Sequence, residues 1–228
     1  MYKMFGLVKR PASIRLASAL LALALAACGR TAQVSSDAQT TGVTMTAGEV
    51  RSLQKIESAV STATNAQMCV SSRSPYYNDT AGLVNQINPV LGKMQNVSPP
   101  VWEAIIMDFP PRVDGTIAVF LCDGMTQGAE TLFRTVSLSN QFISDLKSAV
   151  ATAGADASAF NSALAFVLYH EMGHAVLNHS AVKLRGNQTG FGLPQEMAAD
   201  QFAIDTMTSL GIALNGVDIA RAVAGSAP

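Results

Sequence analysis

The chain has 228 residues, and its 15 Lys and Arg stand against 16 Asp and Glu, which gives a formal net charge of −1 at pH 7. This balance argues against a nucleic-acid-binding protein, because such proteins present a basic patch to the phosphates. The length is enough for a single domain with one hydrophobic core behind an amino-terminal targeting segment.

The first 27 residues have the pattern of a bacterial signal peptide. Four basic residues lead into the apolar run Leu16–Ala27, which is too short to span a bilayer as a stop-transfer helix. The run ends in Leu25-Ala26-Ala27-Cys28, which resembles a lipoprotein lipobox with Cys28 as the acylated first residue of the mature chain. The alternative is an ordinary cleaved signal peptide followed by an incidental cysteine.

Removal of residues 1–27 would leave a more acidic chain that a lipid on Cys28 anchors to a membrane. The four basic residues are lost, so 11 Lys and Arg remain against 16 Asp and Glu, a net charge of −5. Gly29 rather than Asp follows Cys28, which resembles the pattern of lipoproteins sorted to the outer membrane. We therefore predict a periplasm-facing lipoprotein of the bacterial outer membrane.

A flexible tether is predicted over residues 28–46, which are rich in Thr, Ser, Ala and Gln and cannot bury a core. Thr46-Ala47-Gly48-Glu49 then fits a helix capping box, and the helix is expected to reach about Thr64. It opens a single domain over residues 47–228.

Apolar patterning in this domain predicts an α+β fold. Thr116–Cys122 is β-branched and apolar like a buried strand, and Leu132–Ser139 alternates like a strand that is exposed on one side. The mainly helical remainder would pack around a small antiparallel sheet that lies on the helix Ser158–His179. The other predictions are a loop over 66–79, helices over Gly82–Met94 (kinked or broken at Pro89), Asn140–Val150 and Gln195–Leu210, a short helix from Pro99 carrying Trp102, Ile105 and Ile106, and a glycine-rich loop over Arg185–Gly192.

Two cysteines remain in the domain once Cys28 carries lipid. Cys69 and Cys122 would lie in an oxidising compartment, so we predict a disulfide between them. Two buried free thiols are the alternative.

The motif His170-Glu171-Met172-Gly173-His174 lies inside an apolar run without proline. Residues i and i+4 share one face of a helix, so His170 and His174 can offer two imidazole nitrogens to one metal ion. Glu171 is rotated by about 100° from His170, which places its carboxylate beside the metal as a general base. This is the arrangement of zinc hydrolases, and two unrelated core or surface histidines are the alternative.

A catalytic zinc site needs a third protein ligand, and His179 is a candidate by residue type. On a continuous helix it lies about 140° around from His174, so it would face away from the pair. His179 also does not match the metzincin pattern, which requires a glycine between the second and third histidines. The position that the pattern assigns to the third histidine is Ser180 in this chain. We therefore predict a surface position for His179.

Glu196 and Asp200 offer a better solution in the next predicted helix. They are also i and i+4, so Glu196 could bind zinc while Asp200 accepts the distal N–H of a ligand histidine. The alternative is an exposed acidic pair on an amphipathic helix.

Together, His-Glu-x-Gly-His and the downstream Glu-x-x-Ala-Asp resemble the gluzincin metallopeptidases of the CAAX-prenyl-protease and HtpX type, and small bacterial putative metallopeptidases. The resemblance implies a zincin-like domain in which His170, His174 and Glu196 bind Zn²⁺, Glu171 is the general base and Asp200 matches the aspartate of the second motif. The membrane-embedded members have transmembrane helices that this chain lacks, so it resembles the lipoprotein relatives more closely.

We therefore expect a zinc metalloendopeptidase, rather than an exopeptidase, that hydrolyses peptides or unfolded proteins of the cell envelope. The alternative is a non-catalytic zinc-binding lipoprotein that acts as a chaperone or scaffold. The resemblance also suggests Leu132–Ser139 as an edge strand for an extended substrate. The candidates for stabilising the oxyanion are Tyr76, Tyr77, Arg134, Arg185 and His179.

Overall fold

A computed structural model describes residues 69–94, 101, 103–108, 115–125, 128–185 and 190–225. All of them belong to the unit Gly42–Pro228. The predicted signal peptide, the lipidated Cys28, the tether and the helix from Thr46 to Thr64 lie outside the described residues.

The described sheet has four strands in the order β1-β2-β4-β3. The pairs β1–β2 and β2–β4 are parallel, whereas β3–β4 is antiparallel. The predicted α+β class is therefore confirmed, but the sheet is mixed rather than antiparallel. The sequence could not reveal this, because the pairing of strands distant in the chain leaves no signal in their residue alternation. The strands are β1 Glu103–Ile106, β2 Thr116–Cys122, β3 Ala129–Leu132 and β4 Thr135–Ser139.

The central strand β2 has the predicted bounds, and all of its residues are buried. Ile117, Val119 and Leu121 belong to the main hydrophobic core. The alternate residues belong to a second cluster that includes Cys69 and Cys122. In the structure these two cysteines form a disulfide, so the segment before the first helix is linked covalently to the end of β2.

Strand β1 replaces the short helix predicted from Pro99. Its backbone pairs with β2 in parallel, with Ile106 opposite Val119. Asn88 also bonds to both backbone groups of Ala104, with its Oδ1 2.8 Å from the amide nitrogen and its Nδ2 3.1 Å from the carbonyl oxygen. The helix prediction was wrong because four residues carry little periodicity, and pairing with a distant strand decided their conformation.

The segment Leu132–Ser139 is a hairpin rather than one strand. Phe133 and Arg134 form the turn between β3 and β4, and Phe133 has a φ of 54°. The backbone N–H of Phe133 donates to Ser180 Oγ at 2.9 Å. Positive φ is unfavourable for an aromatic residue, so the sequence offers none of the Gly or Asn residues that usually mark such a turn. Strand β4 is consequently interior, and β3 is one of the two end strands of the described sheet.

The described residues also form six α-helices. The first starts five residues earlier than predicted and continues through Pro89, and the third ends at Val176 instead of His179. None of the helices in the described ranges is both long and apolar enough to cross a membrane. The helices are α1 Tyr77–Leu91, α2 Asn140–Thr152, α3 Ala157–Val176, α4 His179–Arg185, α5 Leu193–Ser209 and α6 Val217–Gly225.

Helix α3 carries the histidine motif and is buried on most of its sides. Asp156 caps its amino terminus, because the Asp156 carboxylate accepts hydrogen bonds from the amides of Ser158 and Ala159. It packs against α2, α5, α6 and the strands β3 and β4. The motif is therefore fixed within the core rather than presented on a loop.

Candidate metal centre

Three side-chain donors converge where the start of α5 faces α3. His170 Nε2 and His174 Nε2 lie 3.0 Å apart. Glu196 Oε2 lies 3.2 Å from His170 Nε2 and 3.6 Å from His174 Nε2. Among the described residues, these three form a cluster of His and acidic side chains that could hold a metal ion. The structure thus brings together the three residues that the sequence suggested as ligands.

These separations fit a zinc ion. Tetrahedral zinc with bonds of 2.0–2.1 Å to imidazole nitrogen and carboxylate oxygen requires donors about 3.3 Å apart. The observed distances of 3.0–3.6 Å bracket that value. Two imidazoles and one carboxylate are also a donor set that catalytic zinc sites use.

Gly173 explains how α5 comes close enough for Glu196 to join the histidines. A Cβ at this position would lie 3.1 Å from Ala199 Cα, 3.1 Å from Phe202 Cδ1 and 3.2 Å from Phe202 Cβ. Ala199 follows Glu196 by about one helical turn. The missing side chain therefore allows the helix–helix contact that holds Glu196 opposite His170.

The second nitrogen of His170 is held by a chain of charged groups. Its Nδ1 lies 2.8 Å from Asp200 Oδ1, and Arg221 Nη2 donates to Asp200 Oδ2 at 2.8 Å. Burial tends to raise the pKa of Asp200, but the hydrogen bonds from His170 and Arg221 outweigh it and lower that pKa. Asp200 therefore remains an ionised acceptor for the distal N–H of His170, as the sequence analysis suggested.

His179 is not a surface residue, which corrects the sequence prediction. Helix α3 ends before it, and Asn178 has a φ of 58°, so the chain turns and α4 starts in a new direction. His179 Nδ1 then lies 2.8 Å from His174 Nδ1, and only 7% of His179 is exposed. Burial and the nearby His174 lower the pKa of His179 to about 4, so it is neutral at pH 7.

Phe191 from the glycine-rich loop covers the ring of His174. The two rings stack with centroids 4.0 Å apart and an interplanar angle of 14°. The ammonium nitrogen of Lys183 lies over the ring of Phe191, 5.2 Å from the ring centroid. His174 is consequently confined on its ring face as well as at both nitrogens, and only 1% of it is exposed.

Glu171 is held by the end strand β3. Thr131 Oγ1 lies 2.6 Å from Glu171 Oε2 and 2.8 Å from the Glu171 carbonyl oxygen. Burial raises the pKa of the Glu171 carboxyl, whereas the charge of His170 and the Thr131 hydrogen bond act in the opposite direction. A carboxylate with a raised pKa accepts a proton more readily, which suits a general base.

The pKa values of His170 and Glu196 are shifted in opposite directions. Burial lowers the pKa of His170, but hydrogen bonds with Asp200 and Glu196 outweigh it and raise this pKa to about 9. The same contacts with His170 and His174 lower the pKa of Glu196 to about 2. The site therefore pairs a carboxylate with a histidine that carries a proton, and a bound cation would have to displace that proton.

One family of known proteins matches this part of the chain. Residues 137–212 are similar to the family described as Peptidase U49, over about a third of the chain. The matched segment includes His170, Glu171, His174, Glu196 and Asp200. This match supports a peptidase. Searches of curated proteins and of solved structures gave no match.

Three residues of the site were missed by the sequence analysis. Thr131 and Phe191 lie far from the motif in the chain and have no distinctive spacing, and Arg221 is an isolated basic residue on α6. Among the candidates for stabilising the oxyanion, Tyr76 and Tyr77 pack against the main core at the start of α1. Arg134 lies in the hairpin turn, His179 contacts His174, and the side chain of Arg185 lies outside the described part of the chain.

Proposed function

We propose that this protein is a zinc-dependent peptidase with Zn²⁺ held by His170, His174 and Glu196, and with Glu171 as the general base. The observation that supports this most directly is the convergence of three donor atoms at 3.0–3.6 Å beside the Glu171 carboxylate. The similarity to Peptidase U49 over residues 137–212 supports peptide hydrolysis independently of that geometry.

The proposed reaction assigns different roles to the bound zinc and to the side chains around it. Bound zinc would lower the pKa of a water molecule and polarise the carbonyl of the scissile bond. Glu171 would accept the proton that the water loses and deliver it to the departing amine. Thr131 positions the Glu171 carboxylate, while Asp200 fixes the ring of His170.

An extended substrate would bind along β3, rather than along the whole predicted strand Leu132–Ser139. Within the described sheet, β3 pairs only with β4, so its other edge has backbone groups that a peptide can engage by strand addition. The Thr131–Glu171 hydrogen bond supports this choice, because it brings β3 next to the carboxylate that we propose as the general base. Strand addition along an edge requires no free chain end, so we propose endopeptidase rather than exopeptidase action.

The amino-terminal pattern adds a location to this proposal. We propose that a lipid on Cys28 anchors the enzyme to the outer membrane of a bacterium, where it faces the periplasm and hydrolyses envelope or unfolded proteins. The support is the basic and apolar pattern of residues 1–27 and the lipobox-like Leu25–Cys28. Mass analysis of the mature amino terminus tests the anchor, because an unmodified first residue other than Cys28 would contradict it.

The substitution Glu171→Gln tests the activity. It removes the base but keeps the shape of the side chain, so hydrolysis of an unfolded protein substrate should fall by about 10²–10⁴-fold while bound zinc is retained. Glu103→Gln is the matched control, because Glu103 is an exposed glutamate on β1 at the opposite edge of the sheet and should not affect turnover.

Two results would contradict the proposal. If the wild-type protein does not bind zinc, the proposed metal-dependent mechanism is wrong. Stoichiometric zinc without hydrolysis in the wild-type protein would favour the non-catalytic alternative, a zinc-binding lipoprotein that acts as a chaperone or scaffold.

A further inference from the structure

The contact between His174 and His179 depends on a specific turn between α3 and α4. The positive φ of Asn178 ends the path of α3 beyond Val176, and His179 lies against His174 in the last turn of α3. Ser180, the next residue, accepts a hydrogen bond from the Phe133 N–H in the β3–β4 turn. The first turn of α4 is thus fixed from both sides, and His179 has little freedom to move away from His174.

The distance of 2.8 Å between the two Nδ1 atoms determines how protons are distributed between the rings. In a hydrogen bond between two imidazole nitrogens, one must carry a proton and the other must present its lone pair. The Nε2 atom of His174 faces His170 and Glu196, so it must be free of a proton to bind a metal. The proton of His174 then lies on Nδ1, and His179 must accept it with a bare Nδ1.

We infer that His179 is the positioning residue for His174: its Nδ1 accepts the hydrogen bond from His174 Nδ1–H and fixes the tautomer and ring orientation in which His174 presents Nε2 to the metal. This inference rests on the proposed function, since it assumes that His174 is a metal ligand. It gives His179 the same task towards His174 that Asp200 performs towards His170.

Burial explains why the two ligand histidines have different partners. The side chain of His170 is 17% exposed and is supported by the carboxylate of Asp200, which itself pairs with Arg221. His174 is 1% exposed, and a carboxylate beside it would need its own buried counter-charge. A neutral imidazole supplies the acceptor without that cost, and the stacked Phe191 holds the plane of the His174 ring.

The test compares two variants of nearly equal shape in the full-length protein. His179→Asn places an amide oxygen near the position of Nδ1, whereas His179→Leu fills the same space without an acceptor. Zinc affinity is measured by competition with a chromogenic chelator at fixed pH. We expect His179→Leu to weaken zinc binding by about 10–100-fold, as loss of a ligand's hydrogen-bonding partner does, and His179→Asn to remain within a few-fold of wild type.

Equal zinc affinity in His179→Leu and wild type would overturn the inference, as would an equal loss in the Asn and Leu variants. The zinc affinities of both His179 variants are measured again in the Glu171→Gln background, in which hydrolysis is lost. If His179 acts only through His174, the ratio of each variant's affinity to that of its parent should be the same in both backgrounds. If wild type binds zinc and His179→Leu binds it equally well, only the inference fails. If wild type does not bind zinc, the proposed function fails and the inference fails with it.

A second measurement does not depend on whether the leucine variant folds. Long-range ¹⁵N–¹H spectra of the zinc-loaded wild-type protein report which nitrogen of each histidine carries the proton. We expect the proton of His174 on Nδ1 and that of His179 on Nε2. A proton on Nδ1 of His179 would overturn the inference, because that nitrogen could then not accept from His174.

Discussion

The closeness of α3 and α5 at Gly173 leads to a quantitative prediction for Gly173→Ala. The new methyl group would lie 3.1 Å from Ala199 Cα, whereas carbon atoms pack at about 3.5–4.0 Å, so the two helices must separate by a few tenths of an ångström. Overpacking of this kind costs about 1–3 kcal/mol. Replacing a helical glycine by alanine contributes about 1 kcal/mol in the opposite direction. We therefore expect a loss in the free energy of unfolding of up to about 2 kcal/mol.

Gly82→Ala is the matched control for this substitution. Gly82 is an exposed residue within α1, and a Cβ there would have no atom within 4 Å. The helical gain is the same at both sites, so the difference between the two variants isolates the overpacking cost of about 1–3 kcal/mol.

Urea denaturation of both variants, in chelator to remove metal, measures this difference. The zinc affinity of Gly173→Ala should also fall, because displacement of α5 moves Glu196 relative to His170 and His174, whereas Gly82→Ala should bind zinc like wild type. The reasoning would be refuted if Gly173→Ala were stabilised as much as Gly82→Ala, or if it kept full zinc affinity despite a measured loss of stability.

Three further predictions concern the metal, the disulfide and a helix cap. Glu196→Ala should lose zinc almost completely while Asp200→Ala weakens it by about 10–100-fold, and elemental analysis that showed the reverse order would contradict the ligand assignment. Replacing Cys69 and Cys122 together by alanine should cost about 4 kcal/mol in chemical denaturation, since the disulfide closes a loop with a sequence separation of 53; an unchanged midpoint would show that the bridge does not restrict the unfolded chain. The hydrogen bonds of the first turn of α3 lower the pKa of Asp156 below 3.8, so its stabilisation is present above pH 3.8 and is lost as the pH falls through the lower folded-state value. Asp156→Ala should therefore be less stable than wild type at pH 7 and match it in strong acid, and a constant difference across an acid titration would contradict the cap.

Local signals were sufficient for part of the fold and for most of the site. Strand Thr116–Cys122 was predicted with its observed bounds, because a short apolar run that is rich in β-branched residues and bounded by turn residues favours a buried strand. The pairs His170–His174 and Glu196–Asp200 each lie one turn apart on regular helices, so spacing alone places their members on one face. The motif resemblance supplied the remaining link between the two helices.

The errors arose where distant contacts or a single backbone angle decided the outcome. Glu103–Ile106 became a strand because it pairs with β2, and the hairpin turn at Phe133 is supported by Ser180 on another element. The error at His179 had a signal that was overlooked. Asn178 is among the residues that most readily end a helix with positive φ, so a helix that stopped there would have freed His179 from the assumed 140° offset.

Helix α6 supplies Arg221 to the candidate metal centre, and this residue is synthesised after all the candidate ligands. His170, His174 and Glu196 leave the ribosome before Arg221, whose guanidinium bonds to Asp200 and lies 5.1 Å from the centroid of the Phe166 ring. A nascent chain that stops short of α6 has every candidate ligand, yet Asp200 Oδ2 lacks its hydrogen bond from Arg221. The charged groups that support His170 are therefore complete only once Arg221 has been made, after all three candidate ligands.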